Sequence, residues 1–138
     1  MNCAGIAPGD FILKENDTHD SSIFKRVVDV NVFGSFLCTS YAALNLKSTP
    51  LLGKERGVII NVSSIGNRYC IKGFSAYGAS KGALDGMLLP VARELGRYKI
   101  RVMNIAPGLM DTPMNARITE EDRKILASLT LKGELGEA

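Results

Sequence analysis

The chain has 138 residues, 46% of them hydrophobic and 22% charged, and its 17 basic and 14 acidic side chains leave a net charge of +3. That length fits one domain with a single core, and the composition excludes a disordered or collagen-like chain. Basic residues never run beyond a pair, which excludes a polyanion-binding tract, and three cysteines with one histidine exclude a zinc-ligand pattern.

In chain order, Gly5, Pro8, Gly9 and Asp10 predict turns, and the polar stretch 14–22 continues as a loop in which His19 is solvated. Asp20 is the predicted N-cap of a helix over 21–46. Phe24, Val27, Val28, Asn31, Phe36 and Leu37 approximate its 3.6-residue period. Residues 47–56 read as a basic solvent loop. No apolar run approaches the roughly 18–20 residues of a membrane span, and no secretory leader pattern occurs. The β-branched run 58–62 predicts a strand buried on both faces. A small-residue loop over 63–73 leads to a helix over 75–96, with Ala76, Ala79, Ala83, Met87, Val91 and Leu95 on one face and Leu84 and Leu88 beside it. Pro90 is expected to kink this helix and Gly96 to stop it. Residues 100–106 predict a second strand, ended by Pro107-Gly108. Thr119 with Asp122 forms a variant capping box for a last helix through about Leu129, and a polar tail covers 132–138. The three cysteines are expected to be reduced thiols, with Cys38 and Cys70 packed as small apolar groups.

The order helix, strand, helix, strand, helix predicts an α/β fold with a right-handed crossover between parallel strands. The end of a further strand is expected at 1–5. The expected architecture is therefore part of a doubly wound Rossmann-like sheet, its C-terminal half, with helices on both faces. Such a sheet has two open edges.

One constellation carries chemistry. Tyr77 and Lys81 stand at i and i+4, on one helix face. Ser63 and Ser64 follow the first strand at the carboxyl edge of the sheet, where open α/β sheets bind ligands. Forming a phenolate at pH 7 costs about 4 kcal/mol. A positive charge some 4 Å away returns about 4 kcal/mol at an effective dielectric of 20, and burial opposes it. Ser64 can donate to a developing oxyanion. The three suit proton transfer in carbonyl–alcohol interconversion. Asn31 on an apolar stripe reads, by itself, as a satisfied buried amide.

Asn2-Cys3-Ala4-Gly5, Asn31 within Asp-Val-Asn-Val-Phe-Gly, Asn61-Val62-Ser63-Ser64, Tyr77-x-x-x-Lys81 and Pro107-Gly108-x-x-x-Thr112 occur in one order. Together they resemble the short-chain dehydrogenase/reductase family over essentially the whole chain. Within it, residues 2–7, 56–61, 79–83 and 100–109 are most similar to the mitochondrial branch of type-2 3-hydroxyacyl-CoA dehydrogenases, also called 17-beta-hydroxysteroid dehydrogenases type 10.

The resemblance implies an NAD-dependent oxidoreductase acting on secondary alcohols and ketones such as 3-hydroxyacyl-CoA or steroids. It implies Tyr77 as general acid/base and Lys81 as its electrostatic partner and ligand of the nicotinamide ribose. Ser64 would polarise the substrate carbonyl, and Asn31 would bend its helix and hold a relay water. Cys3, Ala4 and Gly5 would run beside the adenosine ribose, with Pro107, Met110 and Thr112 flanking the nicotinamide. Residues 109–129 would form a mobile substrate lid, and helices 21–46 and 75–96 would pack on a second subunit in a homo- or hetero-oligomer. No nucleic acid or membrane partner is implied, and the setting is mitochondrial, with the cytoplasm as alternative.

The family's T-G-x-x-x-G-x-G turn has no counterpart in the chain. The expectation is thus a catalytic half, truncated at both ends, with weak cofactor affinity and NAD versus NADP unreadable. Two other readings stay open: a non-enzymatic interaction protein that pairs with a full-length paralogue, and an unstable partial gene product.

Overall fold

The computed structural model describes residues 1–115, 118–128, 130 and 132–137, and groups the chain into two compact units, 1–106 and 107–138. The α/β expectation holds in the first. Strands β1 (Gly57–Val62) and β2 (Ile100–Ile105) pair in parallel, Gly57 opposite Ile100 through Val62 opposite Ile105. Asn2 extends the sheet on the far side of β1: its N–H donates to the Ile60 carbonyl at 2.7 Å, and its carbonyl accepts from Val62 at 3.0 Å. The expected third strand end is present as this single bridge with Asn61.

The predicted helix over 21–46 runs from Ser21 to Lys47 in three parts: α1 (Ser21–Val28), a π-helical segment (Asp29–Gly34) and α2 (Ser35–Lys47). Asp20 caps it as expected, accepting from the Ser22 N–H at 2.8 Å. The π segment adds a residue to the helical turn. The buried positions become Val27, Asn31, Ser35 and Thr39, four residues apart. Phe36 and Leu37, expected on the packed face, are exposed for this reason, together with Phe33, Tyr41 and Leu44. By length and composition this helix could also cross a membrane, against the sequence expectation.

Helix α3 (Ser75–Gly96) continues through Pro90 and carries the crossover from β1 to β2. Its packed face is rotated from the predicted one. Ala76, Ser80, Lys81, Leu84 and Leu95 are buried, whereas Ala79 is exposed. The core joins Ile59, Ile100 and Val102 of the sheet to Leu95, with Ala42, Ala43 and Leu46 of α2 and Leu88, Val91 and Ala92 of α3 packed around them. Met103 and Ile105 alternate with these core positions along β2 and are exposed. Gly96 ends α3, but the left-handed residue that turns the chain into β2 is Lys99, at φ 61°.

Two minor expectations are corrected. All three cysteines are free and exposed, Cys38 and Cys70 included, and the Cys70 thiol donates to the Phe74 carbonyl at 3.4 Å. His19 is half-buried rather than solvated, its Nδ1 2.8 Å from the Asp20 carbonyl and its ring edge-on to Phe24.

In the second unit, α4 (Glu120–Ser128) is capped by Thr119, whose hydroxyl accepts from the Asp122 N–H at 3.1 Å. The same hydroxyl donates to the Asp122 carboxylate at 2.9 Å, a side-chain variant of the capping box. The predicted end at Leu129 lies outside the described residues. The tail folds back: Asp111 donates to the Gly136 carbonyl at 2.8 Å, and Gly136 to that of Leu109 at 3.0 Å. A Cβ at Gly136 would lie 2.6 Å from Met110 Sδ, so the flexible end of that side chain would have to move.

Candidate active site

Three local structures converge at the carboxyl end of β1. Ser63 leaves the strand with its N–H on the Ile105 carbonyl at 2.7 Å and its hydroxyl donating to the Lys81 carbonyl at 3.3 Å. Ser64 caps a 3-10 turn, Ile65–Asn67, and its Oγ accepts from the Gly66 N–H at 3.0 Å. Glycine at 66 is a matter of space, since a Cβ there would stand 3.1 Å from Tyr77 Cε1 and 3.2 Å from Ser64 Oγ. Gly78 similarly admits the Gly66 carbonyl, which would meet its Cβ at 3.1 Å. Two glycines thus let the serine turn lie directly against the first turns of α3.

The structure brings Ser64, Tyr77 and Lys81 together at the carboxyl end of β1. Tyr77 is half-buried, and the Ser64 hydroxyl lies near enough to act on its phenol. Burial pushes its phenol above the usual range and the Ser64 hydroxyl pulls it back, with Cys70 adding a smaller upward push. Lys81 is buried, and burial lowers its ammonium while the charge of Asp85 raises it. Its Nζ lies 5.6 Å from the Tyr77 ring centroid and donates to the Val62 carbonyl at 2.8 Å. In the protein alone, burial outweighs the lowering effect of Ser64 on the phenol.

Asn31 is fully buried and sits at the other side of the ammonium. Its Oδ1 accepts from the Ile6 N–H at 2.9 Å, and its Nδ2 donates to the Ile6 carbonyl at 2.9 Å and to Ser80 Oγ at 3.0 Å. The side chain imitates a strand partner for Ile6, the satisfied-amide reading. This clamp brings Gly5 beside the site: a Cβ there would lie 3.5 Å from Asn31 Oδ1 and 3.6 Å from Lys81 Nζ. Cys3 and Ala4 precede it on an exposed stretch, the Ala4 N–H donating to Asn2 Oδ1 at 3.4 Å. Pro107, Met110 and Thr112 belong to the second unit, all three half-buried within it.

Sequence reading missed the partners that hold these groups. Ser80, Gly66 and Gly78 offered only small-residue composition, and Ser63 stood at the sheet edge with no partner assigned. Asp85, Asn67 and Asn104 form a polar cluster behind Lys81 whose members are scattered over a loop, a helix and a strand.

The sequence pattern of the short chain dehydrogenases matches residues 1–123. The chain belongs to this family. Among the short chain dehydrogenases, the human 3-hydroxyacyl-CoA dehydrogenase type-2 is 44% identical over 131 residues, which cover 93% of this chain and 50% of that protein. The crystal structure of the type-2 enzyme from Mycobacterium avium superposes with a TM-score of 0.82 at 28% identity, covering 96% of this chain and 52% of that one. ElxO with NADP bound gives 0.79 at 25% identity over 99% of this chain and 53% of its own. The chain spans about half the length of the curated relatives it matches. These Rossmann-fold relatives agree with the α/β parallel architecture described above.

Proposed function

We propose that residues 1–138 carry the proton-transfer half of a nicotinamide-dependent oxidoreductase that interconverts a secondary alcohol and a ketone, with a 3-hydroxyacyl-CoA as the substrate class. The observation that carries this reading is the juxtaposition of the Tyr77 phenol, the Ser64 hydroxyl and the Lys81 ammonium on two packed elements. The relatives' names support the substrate class.

In the reducing direction, the Ser64 hydroxyl donates to the substrate carbonyl oxygen, its own oxygen being held by the Gly66 N–H. Tyr77 delivers a proton to that oxygen as the alcohol forms, and the nearby ammonium stabilises the phenolate left behind. A raised phenol suits the acid role at neutral pH, because the proton is in place before the reaction.

The residues present fit the ribose end of a nicotinamide cofactor. Lys81 spends one of its three N–H donors on Val62, and Gly5 leaves room beside it. Lys81 and Tyr77 would hold the ribose, Cys3, Ala4 and Gly5 would line the adenosine side, and Pro107, Met110 and Thr112 would flank the nicotinamide. When bound, the cofactor supplies or accepts the hydride. NAD is the proposed form by branch, although ElxO binds NADP. The same branch gives the proposed mitochondrial setting.

The exposed stripe Phe33, Leu37, Tyr41 and Leu44 supports pairing with a second copy of the chain or a homologous subunit through the helices over 21–47 and 75–96.

The test is reduction of acetoacetyl-CoA by NADH with wild type, Tyr77→Phe and Lys81→Met. Each is assayed alone and fused behind the Gly-rich half of a type-2 relative. Tyr77→Phe is expected to lose about 100-fold or more of the turnover. A folded, cofactor-binding fusion with no turnover, or with equal rates in wild type and Tyr77→Phe, overturns the reading.

A further inference from the structure

Asp85 lies one helical turn beyond Lys81, and its carboxylate accepts from amides on two other elements. Asn67 Nδ2, at the end of the turn that Ser64 caps, donates to Oδ2. Asn104 Nδ2 on β2 donates to Oδ1 at 2.9 Å and to the Leu84 carbonyl at 3.0 Å. All three residues are half-buried. Amide donors to a carboxylate make stronger bonds than neutral pairs, and partial burial reduces their screening by water. The backbone bonds of the turn close on themselves: Gly66 to Ser64 Oγ at 3.0 Å, Asn67 to the Ser64 carbonyl at 3.2 Å, and Arg68 to that of Ile65 at 3.0 Å. They shape the turn without fastening it to α3. The Asn67 side chain fastens its far end, as the Ser63 hydroxyl on the Lys81 carbonyl fastens its start.

We propose that Asp85 is a positioning residue: with Asn67 and Asn104 it staples the Ser64 turn to α3 and β2, and so sets the separation of the Ser64 hydroxyl and the Tyr77 phenol. The role rests on the proposed partnership of Ser64 and Tyr77. The staple is a different claim from the reaction, because it concerns what holds the turn when no substrate is present.

Two readouts on the full chain test it without turnover. One is hydrogen exchange of the Gly66 N–H, whose acceptor is Ser64 Oγ. The other is the NMR titration of Tyr77 Cζ, assigned by its absence in Tyr77→Phe. Asp85→Ala is expected to speed Gly66 exchange about tenfold, as one charge-assisted bond is lost. It should also move the Tyr77 titration up, because the Ser64 hydroxyl that pulls the phenol down is held less closely. Cys70 and Lys81, the ionisable groups beside the phenol, keep their side chains in this variant, while Lys81 loses the upward push of the Asp85 charge.

Asp85→Asn keeps one acceptor and should give the same directions at smaller amplitude, including where Asp85→Ala fails to fold. Combining Asn67→Asp with Asp85→Asn restores both bonds, since Asn at 85 accepts from Asn104 and donates to Asp at 67. That pair should return both readouts towards wild type, which a general loss of stability would not predict. Unchanged Gly66 exchange and Tyr77 titration in Asp85→Asn overturn the staple, and so does a folded double variant without recovery. A silent Tyr77→Phe comparison in the turnover assay overturns the reaction and leaves these readouts standing.

Discussion

Replacing Asn31 by Ala removes the one side chain that ties residues 1–6 to the π-helical segment. Three hydrogen bonds disappear, and the Ile6 N–H and carbonyl lose the partner that matched them both. Ser80 keeps its bond to the Tyr77 carbonyl at 2.7 Å, so its hydroxyl is not stranded. Each stranded backbone group costs about 1–3 kcal/mol, less where water reaches it, and Ile6 is half-buried. Alanine returns roughly 0.5 kcal/mol of helix propensity. The expected net loss is about 2–4 kcal/mol, a sizeable share of the roughly 5–15 kcal/mol of an ordinary domain. Urea unfolding of wild type and Asn31→Ala measures it. Asn31→Asp should lose a comparable amount, because a carboxylate still accepts from Ile6 but faces the Ile6 carbonyl with no donor. Hydrogen exchange should place the change at the Ile6 N–H. A loss below about 1 kcal/mol at unchanged m-value, with Ile6 still protected, would refute the clamp.

Further expectations concern single positions. Lys99→Gly should stabilise the chain by about 0.5–1 kcal/mol, because a left-handed lysine carries a penalty that glycine lacks; a destabilised variant in the same urea assay contradicts this. Asp10 is held at about 2 by the Lys14 ammonium and then by the Asp20 N–H. Its contribution to stability is therefore complete above the ordinary carboxylate range and is lost as pH falls from about 4 to about 2. An Asp10 Cγ resonance that titrates near 4 in wild type, or is unmoved in Lys14→Gln, rejects that pairing. Tyr41→Lys with Leu44→Lys should lower the mass found by light scattering if a second subunit covers the stripe; an unchanged assembled mass moves the interface elsewhere.

The sequence was most informative where one local rule acted alone. Asp20, β1, β2 and the Tyr77–Lys81 spacing stand where capping, strand patterning and helical periodicity place them, although β1, expected buried on both faces, buries only Ile59 and Asn61 fully. It was least informative where a second geometry intervened. A period of 3.6 residues per turn over 21–46 points Phe36 and Leu37 inward, and the π segment turns them out. The face of α3 was read from its alanines, whereas the residues packed inside are Ser80, Lys81 and Leu84, set by the approach of Ser63 and the serine turn. The Asp85 cluster could not be read at all, because its spacings of 18 and 19 residues match no local period. Periodicity finds faces; only tertiary contact finds the partners of a polar side chain.

The π-helical segment Asp29–Gly34 also makes chain length a constraint in a place where sequence alone suggests tolerance. Between Val27 and Thr39 an uninterrupted α-helix would accumulate about 120° of rotation, and the extra residue removes most of it. Deleting exposed Phe33 would therefore give a more regular helix and a worse protein. Everything after the deletion would turn by about 100°, carrying Thr39 away from Asn61 and swinging the outward stripe towards the sheet. Substitutions along the outer side of this helix should be absorbed easily, while a one-residue insertion or deletion should not. Loops usually carry the length variation of a fold; here a helix interior counts its residues as strictly as a catalytic motif does.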